Sequence, residues 1–210
     1  LGEAPLLFGQ PARLLGPGLL DFQLALAVLG LQAQAARLML LLHGEGPLAI
    51  SYRVNAGFLG KESWYQDPNE GGGRILGEVC HFLDYVQFLA GSPITRVFAS
   101  GVRDRSGALR ADDNLSVQVQ CADGSIGTVL YVASGDAAMP KERVEVLGRG
   151  KSAVLDNYQA LTTWAGNKKR EHKAMSVDKG HAEQVSLWVR ALVAQQGAPI
   201  PLAELANASW

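Results

Sequence analysis

The chain has 210 residues and a formal net charge of −1, with 19 basic and 20 acidic side chains. This length suffices for one sizeable hydrophobic core, or for one domain with an appendage. A charge so near zero gives no electrostatic case for nucleic acid or an anionic membrane as a partner. Cys80 and Cys121 are the only cysteines and form no Cys-x-x-Cys pair. Their spacing disfavours a disulfide framework or a zinc site and favours a reducing, cytoplasmic location.

The first 45 residues are predicted to form a helical segment with little charge. Apolar residues recur at steps of three and four from Leu24 to Leu42, which is the spacing of one helical face. The uncharged run between Asp21 and Arg37 is shorter than a membrane span needs. No basic residue opens the chain as in a signal peptide, so we expect neither a membrane segment nor a secretion signal here.

From residue 48 the pattern changes to that of strands. In the alternating stretch LAISYRVNAGF, Arg53 and Asn55 fall on one face and apolar side chains on the other. A long polar loop, GKESWYQDPNEGGG, then leads to a predicted helix over residues 76–89, with Val79, Phe82, Val86 and Leu89 as its core stripe. Gly91, followed by proline, is predicted to end this helix.

The remaining chain is predicted to be mostly strands joined by short turns. Alternating segments flank ADG, RGK and GNKK, which are hairpin signals. A helix over residues 180–196 follows, with Val185, Trp188, Val189 and Leu192 as its core stripe. This order indicates an α+β fold: an open, mostly antiparallel sheet with helices on one face, preceded by the helical N-terminal segment.

The stretch GGGRILGEVCHFLD, residues 71–84, combines three glycines with Glu78, His81 and Asp84. On a helix, Glu78 and His81 would share a face that lies beside the core stripe. A histidine exchanges protons near neutral pH, and a neighbouring carboxylate can tune it. The glycines allow a flat ligand to approach the backbone closely. The alternative is that the three polar groups are ordinary surface residues near a helix start.

This stretch, together with SYRVNAGF and WYQDPNEGGG before it and DKGHAEQVSLWVRAL after it, resembles the Gfo/Idh/MocA oxidoreductases. That family includes glucose-fructose oxidoreductase and inositol dehydrogenase, and the chain is most similar to its bi-domain branch. The resemblance covers residues 47–207. It implies an N-terminal Rossmann domain for NAD or NADP and a C-terminal α+β domain that binds a sugar, nucleotide sugar or polyol. It also implies hydride transfer at a carbinol carbon while a histidine exchanges the hydroxyl proton.

The resemblance implies roles for several residues of this chain. His81 falls on the family's catalytic histidine, and Glu78 is expected to tune it. Gly72, Gly73 and Arg74 fall beside the nicotinamide. No His-x-x-x-His spacing or carboxylate cluster predicts a metal.

A substrate groove is expected next to the histidine. Arg53 and Asn55 point from one face of the first strand, and the loop after it carries Trp64 and Asp67. A polyol needs dense hydrogen bonding, and an aromatic ring suits the apolar face of a sugar. We therefore predict that these four side chains line the groove. The alternative is that Arg53 and Asp67 merely pair with each other at the surface.

The chain departs from the family pattern at two positions. Gly77 stands where the family has a catalytic Asp, and Ala4 stands where a Glu-Lys-Pro motif has its lysine. No Gly-x-Gly-x-x-Gly follows a strand, so the Rossmann fingerprint is lacking from this sequence. Residues 1–45 are therefore either the remnant of a Rossmann domain or an unrelated helical appendage. Residues 46–210 are the predicted substrate and oligomerisation domain.

Two hypotheses follow. In the first, the chain is the substrate-binding and oligomerisation domain of an NAD(P)-dependent oxidoreductase of sugar metabolism. It would form a homo-oligomer through the open sheet face and would not bind the cofactor alone, the Rossmann domain being absent or supplied by another chain. In the second, it is a non-catalytic binding or assembly module of the same fold. The sequence does not distinguish NAD from NADP, and it does not define the substrate or the oligomer order.

Overall fold

A computed structural model describes residues 38, 42–60, 62–67, 69–103, 105, 113–177, 179–200, 202 and 206. Within this part of the chain, eight strands form one sheet. The strands are β1 Leu48–Asn55, β2 Ile94–Gly101, β3 Asn114–Cys121, β4 Ile126–Val132, β5 Glu142–Gly148, β6 Lys151–Asp156, β7 Ala160–Ala165 and β8 Lys168–Lys173. The helices are α1 Cys80–Ala90, preceded by a π-helical turn Ile75–Val79, and α2 His181–Val193, with a 3₁₀ turn at Trp64–Gln66.

The strand order is β2-β3-β4-β1-β5-β6-β7-β8. Strand β1 lies between β4 and β5, parallel to β4 and antiparallel to β5. The other neighbouring pairs are antiparallel, and the three predicted hairpins are β3–β4, β5–β6 and β7–β8. The predicted α+β class with an open, mostly antiparallel sheet is therefore confirmed.

Helix α1 covers one face of the sheet with the stripe predicted for it. Val79, Phe82, Val86 and Leu89 are all buried in the main hydrophobic cluster. Packing here is close, because a Cβ on Gly127 of β4 would lie 2.4 Å from Cγ1 of Val86. Only a residue without a side chain lets the helix approach the strand to this distance.

Helix α1 ends where the sequence predicts. Gly91 adopts a left-handed conformation with φ of 67°, and its N–H donates to the carbonyls of Gln87 and Phe88. A glycine in this conformation satisfies the last carbonyls of a helix without Cβ strain. The chain then enters β2 through Pro93.

Helix α2 differs from its prediction. Three members of the predicted core stripe are largely exposed, namely Val185 at 63%, Val189 at 52% and Leu192 at 71%. Trp188 is only half-buried, and Ala191 is the buried residue nearby. The predicted core stripe of this helix is therefore wrong, because amphipathic spacing shows that one face is apolar but not what covers that face.

The core also includes residues before the predicted domain boundary. Leu38 and Leu42 are helical and fully buried, at 0% and 1% exposure. Arg149 Nη1 donates to the carbonyl of Leu42 over 2.6 Å, and its Nε donates to that of Gly46 over 2.7 Å. The hydrophobic core thus crosses the boundary expected between residues 45 and 46. The other residues of the predicted N-terminal helix lie outside the described residues.

Candidate functional site

Residues 71–84 lie at the edge of the sheet where β1 and β4 end. The guanidinium of Arg74 donates to the carbonyls of Ala56 and Gly57, which directly follow β1. The hydroxyl of Tyr131, one residue before the end of β4, donates to Glu78. These contacts place the start of the π-helical turn and of α1 at this edge.

The three glycines before the helix have distinct structural reasons. Gly72 and Gly73 have φ of 68° and 86°, a region that side chains disfavour. A Cβ on Gly71 would lie 2.6 Å from the carbonyl oxygen of Trp64 and from Cα of Tyr65. Around a Cβ on Gly73, in contrast, no atom lies within 4 Å. Among the described residues, the space beside the Cα of Gly73 is therefore open.

Arg74 differs from the expectation that it contacts a cofactor. Its side chain is 2% exposed and donates to the carbonyls of Gly57 over 2.6 Å and Ala56 over 3.1 Å. Its guanidinium carbon lies 5.3 Å from the ring centroid of Tyr131, and Nη2 lies 3.4 Å from Oε1 of Glu78. A guanidinium enclosed in this way ties the helix start to β1 and leaves no exposed surface for a cofactor.

Both carboxylate oxygens of Glu78 contact other protein groups. Oε1 faces Arg74, and Oε2 accepts a 2.8 Å hydrogen bond from Tyr131 and lies 3.8 Å from Nζ of Lys141. Burial raises the pKa of the Tyr131 phenol well above its ordinary value, and the hydrogen bond to Glu78 adds to this rise. Tyr131 therefore stays protonated and remains the donor.

The predicted alignment of Glu78 with His81 assumed a regular α-helix. Glu78 lies instead in the π-helical turn Ile75–Val79, where hydrogen bonds close over five residues rather than four. A turn with more residues rotates Glu78 away from the α-helical i,i+3 position relative to His81. Glu78 thus contacts Arg74 and Tyr131 rather than His81.

His81 is the second residue of α1 and its side chain is exposed. This agrees with the expectation that it lies on the first half of a helix, away from the core. Asp84, three residues further along the regular α-helix, is half-buried. Burial raises the pKa of Asp84, and the nearby His81 side chain opposes this rise. Asp84 is therefore the carboxyl group that is electrostatically coupled to His81.

Arg53 lies on the face of the sheet opposite α1. The ring of Tyr52 packs against Phe82 of α1, with ring centroids 5.0 Å apart, and successive side chains of a strand point to opposite faces. Arg53 Nη1 donates to the carbonyl of Pro140 over 2.9 Å. Arg53 and the helix that carries His81 therefore lie on opposite faces of the sheet. The structure does not bring these two residues of the predicted groove together.

Asn55 fastens the loop between β4 and β5. Its side chain is 9% exposed, and Nδ2 donates to the carbonyls of Asp136 and Met139 over 2.7 and 3.1 Å. A Cβ on Gly135 would lie 2.2 Å from Oδ1 of Asn55. The amide is thus committed to holding this loop rather than facing open solvent.

Trp64 and Asp67 occupy the loop before the glycines. Trp64 is 62% exposed, so its ring is available to a ligand. Asp67 accepts the N–H of Asn69 at Oδ1 over 2.7 Å, and its carbonyl accepts the N–H groups of Gly71 and Gly72 over 2.9 Å each. Asp67 therefore organises the turn that leads to the glycines, and its described contacts do not include the alternative pairing with Arg53.

Three side chains of this site were not singled out by the sequence analysis, namely Tyr65, Tyr131 and Lys141. Tyr65 donates from its hydroxyl to the carbonyl of Gly77 over 3.1 Å. Each of the three reaches the helix from a different loop or strand, so no local spacing could have indicated it. The one available signal was Gly77 itself, since a glycine inside a helix often allows a close approach.

Two further observations concern the described residues alone. They contain no group of three or more His, Cys, Asp or Glu side chains that could hold a metal ion. Among them, too, no helix has the length and apolar character needed to cross a membrane.

The sequence model of one protein family, the GFO/IDH/MocA C-terminal domain, matches residues 47–154. No curated protein matches the chain. Among solved structures, aldose-aldose oxidoreductase from Caulobacter crescentus, complexed with glycerol, is similar with a TM-score of 0.69 and 16% identity. The similarity covers 85% of this chain and 56% of that one.

Two other solved structures extend the comparison. UDP-N-acetylglucosamine 3-dehydrogenase from Acidithiobacillus ferrooxidans has a TM-score of 0.61 at 15% identity, covering 88% of this chain and 56% of that one. An oxidoreductase from Agrobacterium radiobacter in complex with NAD+, L-tartaric acid and magnesium has a TM-score of 0.57 at 13% identity, covering 90% and 56%. At such identities the likeness shows the fold, and the chain spans little more than half the length of these proteins.

Proposed function

The chain belongs to the GFO/IDH/MocA C-terminal domain family, and from this premise we propose that it is the substrate-binding domain of an NAD(P)-dependent oxidoreductase. The proposed substrate class is a sugar, a nucleotide sugar or a polyol. The observation that carries the proposal is the exposed His81 in the first turn of α1, beside a glycine loop whose backbone is open at Gly73. A histidine can exchange protons near neutral pH, and a backbone without side chains lets a flat ligand approach closely, so both features support the proposal.

The described residues fit one end of a nicotinamide cofactor. Gly73 offers open backbone, and Trp64 and Leu76 expose apolar surface nearby, at 62% and 71%. The described residues contain no glycine-rich strand–turn–helix unit to bind a pyrophosphate. A bound NAD(P) would supply hydride acceptance, and in this proposal a Rossmann domain outside these 210 residues holds most of it.

The roles within this site are part of the proposal. His81 takes the proton of the substrate hydroxyl, and Asp84 is the nearby carboxyl group coupled to it. Trp64 provides an exposed ring for the apolar face of a sugar. Glu78, Arg74 and Asn55 act within the protein, where they hold the helix start and the loop between β4 and β5 in place.

The substrates and ligands of similar proteins agree with the proposed substrate class. One was solved with glycerol, a second acts on a nucleotide sugar, and a third was solved with NAD+. Their folds are shared with this chain, while their substrates are properties of those proteins. They support the choice of sugars and polyols as the first ligands to test.

Self-association through the open sheet face is part of the proposal. Ile126, Ala49 and Leu147 are paired neighbours on that face, and Ser152 and Trp164 continue the same row. Ile126 and Leu147 are about half exposed, at 54% and 51%. Exposed apolar side chains on three of these five strands, at Ile126, Leu147 and Trp164, are typical of a contact between copies.

One observation favours the alternative of a non-catalytic binding module. The family's catalytic acid is Gly77 here, and the ring of Tyr65 occupies the space beside it. Glu78 does not replace that acid, because its oxygens face Arg74 and Tyr131. A binding module would keep ligand affinity without turnover.

We also place the protein in the cytoplasm, since Cys80 and Cys121 are free thiols.

The proposal is tested by titrating the purified chain with myo-inositol, D-glucose and UDP-N-acetylglucosamine, and separately with NADH and NADPH. Backbone amide NMR shifts report binding and its location. We expect at least one of the sugars or polyols to shift the amides of Gly72, Gly73 and His81, with negligible binding of the cofactors. Sugars and polyols that shift no amide of the site would contradict the proposal, and turnover after a Rossmann domain is supplied would distinguish the enzyme from the binding module.

A further inference from the structure

We propose that the hydroxyl oxygen of Tyr65 binds the ligand together with His81. This oxygen lies in the space that a side chain at position 77 would occupy. The inference deepens the proposed function and rests on it for the identity of the ligand class. The placement of Tyr65 itself depends only on the structure.

The ring of Tyr65 fills the space beside Gly77. A Cβ on Gly77 would lie 2.6 Å from Cε1 of Tyr65 and 2.9 Å from both Cζ and Oη. Such distances are far below a normal contact, so a side chain at 77 and the present position of the Tyr65 ring exclude each other. The hydroxyl of Tyr65 therefore stands where the first atoms of a residue-77 side chain would be.

Position 77 is the right place for a partner of His81. Gly77 precedes His81 by four residues, which is close to one full turn in an α-helix and in a π-helical turn alike, so the two positions lie on the same side of the helix. Glu78 is one residue further round the helix, and its oxygens are engaged by Arg74 and Tyr131. The oxygen of Tyr65 is thus better placed than that of Glu78 to act together with His81.

Three contacts fix Tyr65 in this position. Its carbonyl accepts the N–H of Gly73 over 3.1 Å, and its backbone packs so closely on Gly71 that a Cβ there would lie 2.6 Å from Cα of Tyr65. Its ring packs against Trp64 with centroids 4.8 Å apart. Tyr65 is therefore held between two glycines, and its ring has little freedom to move away.

The hydrogen bond of Tyr65 defines what its oxygen can do. The hydroxyl proton is donated to the carbonyl of Gly77 over 3.1 Å, so the oxygen lone pairs remain to accept a hydrogen bond. The side chain is half-buried, which leaves it within reach of a ligand. Tyr65 would accept the proton of one sugar hydroxyl in a hydrogen bond, while His81 faces a neighbouring hydroxyl.

This assignment makes Tyr65 a specificity residue. A neutral phenol accepts a hydrogen bond without carrying the charge of a carboxylate. The site would therefore bind neutral polyhydroxylated ligands without an acidic group at position 77. Because the Tyr65 ring and a side chain at position 77 exclude each other, a carboxylate at position 77 also requires a smaller residue in place of Tyr65.

The closing experiment compares the wild-type chain with Tyr65→Phe, which keeps the ring and removes only the oxygen. Both are titrated with the myo-inositol, D-glucose and UDP-N-acetylglucosamine probes while the amides of Gly72, Gly73 and Gly77 are followed by NMR. Loss of one hydrogen bond is expected to weaken binding about fivefold. Tyr85→Phe is the matched control, because Tyr85 lies on α1 with its hydroxyl buried in the core, and its affinity should equal the wild-type value.

A second comparison tests, without any ligand, whether the Tyr65 ring and a side chain at position 77 exclude each other. Gly77→Ala should lower Tm by several degrees in the wild-type chain and by much less when Tyr65 is replaced by alanine. Equal losses in the two backgrounds would overturn the placement of Tyr65.

The possible outcomes of the titrations are distinct. Wild-type binding that Tyr65→Phe leaves unchanged would overturn the ligand role of Tyr65 and leave the proposed function standing. A wild-type chain that binds none of the three probes would instead overturn the proposed function, and the ligand role of Tyr65 with it.

Discussion

The hydroxyl of Tyr52 donates a 2.5 Å hydrogen bond to Oε2 of Glu142 deep inside the domain. The two side chains are only 1% and 2% exposed. Lys179, two residues before α2 begins at His181, donates to the other carboxylate oxygen. Burial, together with the charges and hydroxyls around it, raises the pKa of Tyr52 far above its ordinary value. The tyrosine therefore remains a donor, and Glu142 ties the start of α2 to the sheet.

We expect Lys179→Met to destabilise the chain by roughly 2 kcal/mol, because it leaves the buried carboxylate of Glu142 without its cation. This is less than the loss for a fully buried pair, since Lys179 is 35% exposed. Urea unfolding measures the change, with Lys173→Met on the exposed strand β8 as the control. Adding Glu142→Gln should recover part of the loss, and an unchanged unfolding free energy in Lys179→Met would contradict the role of the pair.

A second prediction concerns the contact between α1 and the sheet. Gly127→Ala should destabilise the chain by about 1–3 kcal/mol, as overpacked cores do. The added methyl group would lie 2.4 Å from Val86 and 2.9 Å from Val119. Thermal and urea unfolding report this change, and Val86→Ala in the same chain should relieve part of it. Gly197→Ala is the control, because no atom lies within 4 Å of a Cβ there; a similar loss in both variants would contradict the packing argument.

These contacts indicate which features a sequence pattern can predict. The core stripe of α1 and its end at Gly91 depend on local spacing and on one residue with positive φ. Both were predicted correctly, as were the three hairpins. The position of β1 between β4 and β5 was not predicted, because the long connection from β1 to β2 leaves the neighbours of β1 undetermined.

In the candidate site, too, local spacing predicted some features and missed those that depend on tertiary contacts. His81 was placed correctly on the exposed side of α1 because helical spacing decides it. The contacts of Arg74 and Glu78 were not predicted, since their partners Gly57 and Tyr131 lie on other segments of the chain. The π-helical turn also changes the spacing on which the pairing of Glu78 was based. Tertiary contacts, rather than local propensity, decide these roles.

Asp84 provides a prediction on pH dependence. Burial raises its pKa above the ordinary value of 3.8, so the charged form is disfavoured in the folded chain. The stabilising effect of its proton is complete below the unfolded pKa and is lost as pH rises through the higher folded pKa. We therefore expect Asp84→Asn to raise Tm at pH 7.

The gain from Asp84→Asn should shrink as the pH falls through the folded pKa of Asp84, and it should vanish below the unfolded value of 3.8. Melting curves from pH 3 to pH 8 check this, with the exposed Glu70→Gln as the control. A gain that stays constant over this whole range would show that burial of the charge is not its cause. In His81→Gln, the pKa of Asp84 should rise further, because the opposing effect of His81 is removed.

The last prediction concerns the open face of the sheet. Leu147 lies in the middle of the cross-strand row that runs from Ile126 through Ala49 to Ser152 and Trp164. If copies of the chain meet along this row, a charge at its centre would be buried without a partner, and the association would be lost. We expect the wild-type chain to sediment as an oligomer at micromolar concentration and Leu147→Glu to sediment as a monomer with an unchanged Tm. Val185→Glu is the matched control, because Val185 is 63% exposed on α2, outside the sheet. A wild-type chain that is already monomeric, or a Leu147→Glu chain that still associates, would show that this face is not the contact between copies.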